Sequence, residues 1–328
     1  MVDDRLKGTR GKDGDVMVMS KSRHERVGDE QAGQRVDNFV IRHCPGVPRS
    51  HIYQLIRKGS VLVNGKRIKQ TRKLVAGEQV RIPALQVKTD EDVNVPSSLA
   101  ERVGGSVLFE HDDFLVVDKP TGVAVHGGSG LAFGLIDALR QQRDEKRLEL
   151  SHRLDRATSG CLLVGRGVKA NRRLQDLFRS RTVDKRYLAL VAGQWPSGVN
   201  KIDAPLLKNV EHAGERRVIV SPEGQASLTH VSVTQRYADA TLLDVRLDTG
   251  RTHQIRVHTK HIGHAVVGDD RYGDNRSNAR FKKLGLSRLY LHSRLLAFDW
   301  QGERIEVTAP TDAQWDSSLK SLASSSPT

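Results

Sequence analysis

Between residues 33 and 88 the apolar positions recur first with a helical spacing and then with a strand spacing. Val36–His43 and Ser50–Lys58 read as two short helices. In the second, Ile52, Leu55 and Ile56 share one face, while Ser50, Gln54, Arg57 and Lys58 fall on the other. Ser50 suits the start of this helix and Gly59 its end. Val61-Leu-Val-Asn-Gly-Lys-Arg-Ile68 reads as a hairpin, because Asn64-Gly65 tolerates the left-handed backbone of a type I′ turn. Gln79–Ile82 is a further strand. From residue 105 strand-like runs outnumber helical ones. The strands are Val107–Glu110, Phe114–Val117, Cys161–Val164, Tyr187–Val191, Leu228–Val233, Thr241–Leu247 and Leu289–Phe298. The helices are Leu135–Gln142, Ala170–Arg179 and Thr252–His261. Strands that follow one another directly predict an α+β unit built on a mixed or antiparallel sheet.

The same pattern marks the boundaries. Residues 1–32 are charged and aperiodic, and residues 313–328 are serine-rich. Both are expected to be disordered tails. The polar, proline-bearing stretch 89–104 is expected to be a linker. A small unit, 33–88, and a large unit, 105–312, remain.

Charge changes the picture of the small unit. The chain carries a net +14, and twelve Lys and Arg against Asp37 and Glu78 give Arg35–Lys88 a net +10. A basic helix beside a basic hairpin makes a cationic surface for a phosphate backbone. Arg49, Arg57, Lys58, Lys66, Arg67 and Lys69 are the expected RNA contacts. No apolar run approaches the roughly 18 residues of a membrane span, and residues 1–29 hold no apolar signal core. A cytoplasmic protein that does not bind membranes is expected. Cys44 and Cys161 are far apart and suggest neither a disulfide framework nor a zinc site; Cys161 reads as a core residue.

Three stretches of the large unit carry candidate chemistry. In Ser151-His-Arg-Leu-Asp-Arg-Ala-Thr-Ser-Gly160 a carboxylate, Asp155, stands between Arg153 and Arg156, just before an apolar strand. Nearby cations favour its ionised form, and an ionised, positioned aspartate can act as a nucleophile. Taken alone, the stretch reads more readily as a surface ion pair, and it is the rest of the sequence that reverses this. In Lys185–Gly193, Tyr187 opens a strand and can wall a pocket or simply face the core. In Thr249-Gly-Arg-Thr-His-Gln-Ile-Arg-Val-His258, Thr252 can cap a helix that places His253, Arg256 and Lys260 on one side. His126-Gly-Gly-Ser-Gly130 is a glycine-rich loop without the lysine of a nucleotide-binding motif, and no dinucleotide fingerprint occurs. His253, His258, His261 and His264 with Asp269 and Asp270 offer a rival metal-hydrolase reading, but no His-Glu-x-x-His pattern accompanies them. A non-catalytic RNA-binding protein is the second rival.

Arg35-Val-Asp-Asn-Phe39, Pro48–Gly59, Val61-Leu-Val-Asn-Gly65 and Ala76-Gly-Glu-Gln-Val80 together resemble the S4-type RNA-binding domain. His152–Gly160, Lys185–Gly193, Gly250–His258 and, more weakly, Lys119-Pro-Thr-Gly122 with Val125-His126 resemble the RNA pseudouridine synthases that modify large-subunit ribosomal and transfer RNA. Val125–Leu131, Ala204–Asn209 and Asp269–Asp274, combined with the S4-type unit, narrow the resemblance to the large-subunit (23S) ribosomal RNA group. The resemblance implies an isomerase that breaks the N1–C1′ bond of uridine and joins C5 to C1′, with no cofactor and no metal. It implies Asp155 as the catalytic aspartate, Arg256 as its ion-pair partner and Tyr187 as a stacking and proton-relay group. Arg153 is expected to fill space left by the flipped base, and Arg156, His126, Arg251 and His253 to contact substrate. The implied partner is large-subunit ribosomal RNA, bound by a monomer.

Overall fold

The computed structural model describes residues 9–10, 16–44, 47, 49–88, 95–127, 131, 133–212 and 215–324. The chain divides into two units, Met1–Asn94 and Val95–Thr328.

In the first unit the helices Val36–His43 and Arg49–Lys58 pack on a four-stranded sheet. Its order is Arg23–Arg26, Gln79–Ile82, Leu62–Val63, Lys66–Arg67. Phe39, Val40, Ile52 and Ile56 meet Val61, Val63, Val80 and Ile82 in one core. Asn64 and Gly65 turn the hairpin with φ of 48° and 74°, the left-handed pair that a type I′ turn requires. The expectation that Ser50 caps the second helix lies outside the described residues. The expected tail 1–32 needs correction, since Arg23–Arg26 pairs with Gln79–Ile82 and Val27 is buried in the same core. Arg-His-Glu-Arg carries no apolar alternation, so only the backbone ladder announces this strand.

The second unit is built on a ten-stranded sheet. Its main path runs Lys201–Asp203, Leu228–Arg236, Ala240–Leu247, Asp184–Ala192, Leu291–Trp300, Ser159–Arg166, Phe114–Lys119, Val107–His111. Leu148–Leu150 and Glu303–Thr308 add to Ser159–Arg166 and Leu291–Trp300. Every pairing is antiparallel except that of Ser159–Arg166 with Leu291–Trp300, so the sheet is mixed, as the strand pattern predicts. Alternation sends Leu162, Val164, Tyr187, Ala189 and Val191 to one face, under the helices Leu135–Arg143 and Gln254–His261. Cys161 and Leu163 face the opposite side, with Leu174 of the helix Gly167–Ser180. Cys161 is fully buried and burial pushes its thiol up to about 12, which makes it an inert core residue.

Two boundaries differ from expectation. Ser97–Gly104 is a helix, not a linker: Ala100 and Val103 are buried in the core beside Leu139. Residues 89–94 of that stretch lie outside the described residues. The expected tail 313–328 is the helix Ala313–Ser324, whose Trp315 and Leu322 pack against Phe281 and Tyr290. Trp315, Leu319 and Leu322 share one helical face, and the surrounding serines hide that stripe from a composition-based reading.

Candidate active site

Asp155 sits in the loop between Leu148–Leu150 and Ser159–Arg166. Leu154 anchors the loop in the core, and Thr158 N donates to Asp155 O at 3.1 Å. A second turn, Lys119–Gly122, is stapled to it. Lys119 is fully buried and its Nζ donates to Pro120 O, Val123 O and Arg156 O at 2.8–3.0 Å. Thr121 Oγ1 donates to Ala157 O at 2.8 Å, and Arg156 Nε donates to Gly122 O at 2.9 Å. Burial pushes the Lys119 ammonium down to about 7, and the Asp155 carboxylate works the other way. Gly160 follows the loop with φ 102°, where an added Cβ would lie 2.2 Å from Ser293 O. No other residue type allows the parallel neighbour so close.

His152 fixes the other side of the loop. Its Nε2 accepts from Leu163 N at 2.9 Å and its ring stacks on Phe178. An acceptor nitrogen is unprotonated, and burial drives the imidazole down to about 3. The unfolded chain, with an ordinary value near 6.5, therefore binds more protons between pH 3 and 6.5. Stability from this group is fully present above pH 6.5 and falls as pH drops towards 3, by up to about 4 kcal/mol. Chemical denaturation of wild type and His152→Gln at pH 7 and pH 4.5 should show a smaller acid loss in the variant. Equal losses would remove His152 as the source.

Two nitrogen-bearing side chains converge on Oδ2 of Asp155: Arg256 Nη1 at 3.1 Å and His253 Nε2 at 3.6 Å. Arg256 lies on the helix Gln254–His261, buried at 6 % exposure. Its remaining donors grip a second carboxylate, Asp269, with Nε at 2.7 Å and Nη2 at 2.8 Å. Asp269 is fully buried and also accepts from the backbone of Arg271 and Tyr272, both at 3.0 Å. Burial alone would raise the Asp269 carboxyl, but the Arg256 fork outweighs it and holds it below its ordinary value. For Arg256, burial is likewise outweighed by the two carboxylates, which raise it further. The Tyr272 ring lies 5.1 Å from the guanidinium. Gly268 makes the turn into Asp269 with φ 74°, and an added Cβ would fall 1.8 Å from Arg288 O.

Tyr187 lies on Asp184–Ala192, where the register with Leu291–Trp300 shifts between Arg186 and Tyr187. Such a bulge re-aims the side chains beside it. Tyr187 is 8 % exposed; burial, helped by the Asp155 charge, pushes its hydroxyl up to about 12. Asp155, Arg256 and Tyr187 thus come from three distant stretches into one electrostatic neighbourhood.

Several expectations change. Arg153 and Arg156 are exposed and make no ion pair with Asp155 among the described contacts, because the turn aims neighbouring side chains in different directions. His253, not Thr252, is the N-cap residue, and it lies before the helix with φ 55°. Lys260 is exposed and does not share the buried side of Arg256. Arg251 is half-buried and donates through Nε to Ala226 O at 3.3 Å. His126 is exposed beside Gly134, at the start of the helix Leu135–Arg143; residues 128–130 of its loop lie outside the described residues. The histidines do not converge. His258 is bonded at both ring nitrogens, to Thr229 and Ala204, and His264 bonds Ala192 O. Among the described residues no group of three or more His, Cys, Asp or Glu is arranged to hold a metal.

In the first unit Arg57, Lys58, Lys66, Arg67 and Lys69 are all exposed. The Arg67 side chain lies over Gly59, so the hairpin and the end of the helix Arg49–Lys58 join in one basic surface. The Arg49 side chain lies outside the described residues. No described helix is long and apolar enough to cross a membrane.

Sequence reading missed the roles of Lys119, Asp269 and Tyr272. All three fall in stretches that stood out as motifs, yet their contacts span loops whose course no periodicity reveals.

Arg256 is thus a buried arginine held between two carboxylates, Asp155 and Asp269, with Tyr187 on the adjoining sheet. Residues 113–261 match the RNA pseudouridylate synthase family, and residues 34–80 match the S4 domain. The chain belongs to the RNA pseudouridylate synthase family and is an isomerase acting on RNA. The ribosomal large subunit pseudouridine synthase C of Escherichia coli (strain K12) is 49 % identical over 290 residues, covering 86 % of this chain and 91 % of the relative. Its counterpart in Haemophilus influenzae (strain ATCC 51907 / DSM 11121 / KW20 / Rd) is 44 % identical over 319 residues, covering 96 % and 99 %. Among solved structures, human RNA pseudouridylate synthase domain containing 4 aligns with a TM-score of 0.58 and 25 % identity, over 69 % of this chain and 95 % of that one.

Proposed function

We propose that this protein isomerises specific uridines of large-subunit (23S) ribosomal RNA to pseudouridine, as a cytoplasmic monomer. The relatives that match nearly the whole chain are named for that activity. The observation that carries the reading is the Asp155–Arg256–Asp269 array beside Tyr187. The reaction breaks N1–C1′ and forms C5–C1′; C5 loses a proton and N1 gains one, so no atom enters or leaves. Asp155 is the carboxylate at the anomeric centre, where positive charge develops as in glycoside cleavage. Arg256 keeps it oriented. The target base must leave its stack to reach this centre. Arg153 fills the vacated space, and Arg156, His126 and Arg251 steady the flanking RNA.

Tyr187 supplies a ring to stack on the flipped uracil and a hydroxyl to relay the C5 proton. With a hydroxyl pushed up to about 12 the group stays protonated at neutral pH, so it takes the C5 proton only as it passes its own on towards N1, the atom that gains one. Tyr187→Phe should keep RNA affinity within about twofold and slow turnover by about 10- to 100-fold. Full single-turnover activity in that variant would leave the ring as the only role.

Arg49, Arg57, Lys58, Lys66, Arg67 and Lys69 of the S4 unit bind phosphates of the RNA backbone. Removing residues 1–94 should weaken RNA binding and flatten its dependence on salt, since fewer counterions are released. An unchanged salt slope would show that this surface does not touch the backbone. The decisive test incubates the purified protein with unmodified large-subunit ribosomal RNA and, separately, with transfer RNA, then maps pseudouridine. Conversion of a few uridines in the former alone is expected. Conversion only in transfer RNA would overturn the substrate assignment.

A further inference from the structure

Sequence places His253 among the substrate contacts, but its surroundings give it a different task. We propose that His253 is a positioning residue for the Asp155 carboxylate, held by Tyr272 as the tautomer whose proton sits on Nε2. The proposal rests on Asp155 being the catalytic aspartate.

Three observations meet at this residue. Its backbone has φ 55° and ψ 22°, a left-handed conformation that costs a side-chain-bearing residue energy and persists only when its surroundings enforce it. Gln254 does the enforcing. Its Oε1 accepts from Thr249 Oγ1 at 2.8 Å and from Arg251 N at 3.0 Å, and its Nε2 donates to Leu228 O and Thr229 Oγ1, both at 2.9 Å.

The ring is fixed as firmly. His253 Nδ1 lies 2.7 Å from the Tyr272 hydroxyl, and that hydroxyl accepts from Val218 N at 3.2 Å. The Val218 amide can only donate and takes up one acceptor position of the phenol oxygen, so in this assignment the phenol's own proton points at Nδ1. Nδ1 is then the acceptor, and Nε2 carries the ring proton. Nε2 stands 3.6 Å from Asp155 Oδ2, the oxygen that Arg256 Nη1 also addresses at 3.1 Å.

The charged groups around the ring are Asp155, Arg256, Arg271 and Asp269. Burial lowers the imidazole below its ordinary value, Asp155 opposes this, and Arg256 and Arg271 reinforce it. A neutral N–H donor results. Bonded by Arg256 on Oδ2 and flanked on the same oxygen by His253 Nε2, the carboxylate is restrained from rotating and presents its other oxygen to the sugar. Tyr272 braces both neighbours, since it bonds His253 and lies against the Arg256 guanidinium. Its partner Val218 belongs to the strand Glu215–Val220, so the brace extends to that strand.

The test compares His253→Ala, His253→Gln and Tyr272→Phe with wild type in single-turnover isomerisation and in RNA affinity. Nitrogen NMR of the histidine rings reports the tautomer independently of activity. His253→Ala should slow the single-turnover rate by about 10- to 100-fold, the usual effect of losing an orienting partner, with affinity unchanged within about twofold. His253→Gln, which restores a donor, should recover part of the rate. Wild type should show the Nε2–H tautomer, and Tyr272→Phe should lose that preference. A wild-type ring protonated on Nδ1 would overturn the proposal even if a variant failed to fold. So would a His253→Ala enzyme that loses affinity but keeps its rate, which is the signature of a substrate contact. An active Asp155→Asn enzyme would overturn the catalytic reading itself, whatever the tautomer.

Discussion

Asp155→Asn is expected to reduce isomerisation by at least about a thousand-fold while leaving RNA affinity within about threefold of wild type. The substitution keeps the size and planarity of the side chain, so the loop stapled by Lys119 and Thr121 should hold its course. What it removes is the negative charge. A neutral amide cannot stabilise positive charge at C1′ or serve as a nucleophile there. Affinity comes mainly from cations on phosphates, which the substitution does not touch. The amide NH2 also meets Arg256 Nη1, a donor facing a donor, unless the amide turns its oxygen to that side. With His253 beside the same atom, one orientation suits both neighbours, so the fold should tolerate the change. The check is single-turnover conversion of a large-subunit ribosomal RNA fragment beside a binding measurement. Retention of more than a few per cent of the wild-type rate would sink the assignment.

Much of the fold was legible in the sequence, because strands and helices that bury one face advertise it by period. Val36–His43 and the Asn64-Gly65 hairpin form where the pattern puts them. The failures share a cause. Arg23–Arg26 and the serine-rich helix Ala313–Ser324 are held by partners remote in sequence, and neither has the composition of a buried element. At the site, Asp155 stands out as the one carboxylate among arginines, Tyr187 as an aromatic opening an apolar strand and Arg256 as a cation on a candidate helix. Their supports do not. Asp269 reads as one acid of an adjacent pair, and only the fold distinguishes it from Asp270: Asp269 is fully buried in the Arg256 fork, while the Asp270 side chain is 96 % exposed. The cations beside Asp155 in sequence are likewise not those beside it in space. A loop alternates the directions of neighbouring side chains, and a helix more than 90 residues further on supplies the partner instead.

Arg256→Ala should be damaging in two separable ways. It leaves Asp155 without its nearest cation, and it leaves Asp269, fully buried, with no countercharge. Breaking one partner of a buried ion pair costs about 3–5 kcal/mol. The backbone amides of Arg271 and Tyr272 offset part of this, and protonation of Asp269 can offset more. The Asp269 carboxyl, held low by Arg256 in wild type, should then rise, and the variant should lose less stability at pH 5 than at pH 8. Isomerisation should fall by at least about a hundred-fold at either pH, because the orientation of Asp155 is lost whether or not Asp269 is neutral. Arg256→Lys keeps one charge but cannot grip Asp269 with two donors and still reach Asp155, so only partial rescue is expected. Asp269→Asn separates the two effects: it keeps an acceptor for the guanidinium, relieves the buried charge and loosens only the orientation. It should therefore unfold closer to wild type than Arg256→Ala yet still lose about tenfold in single-turnover rate. Denaturation midpoints at the two pH values, measured beside single-turnover rates and RNA affinity, resolve these contributions. If affinity falls in step with rate in Arg256→Ala, the guanidinium acts as a phosphate contact, and its place as the partner of Asp155 is refuted.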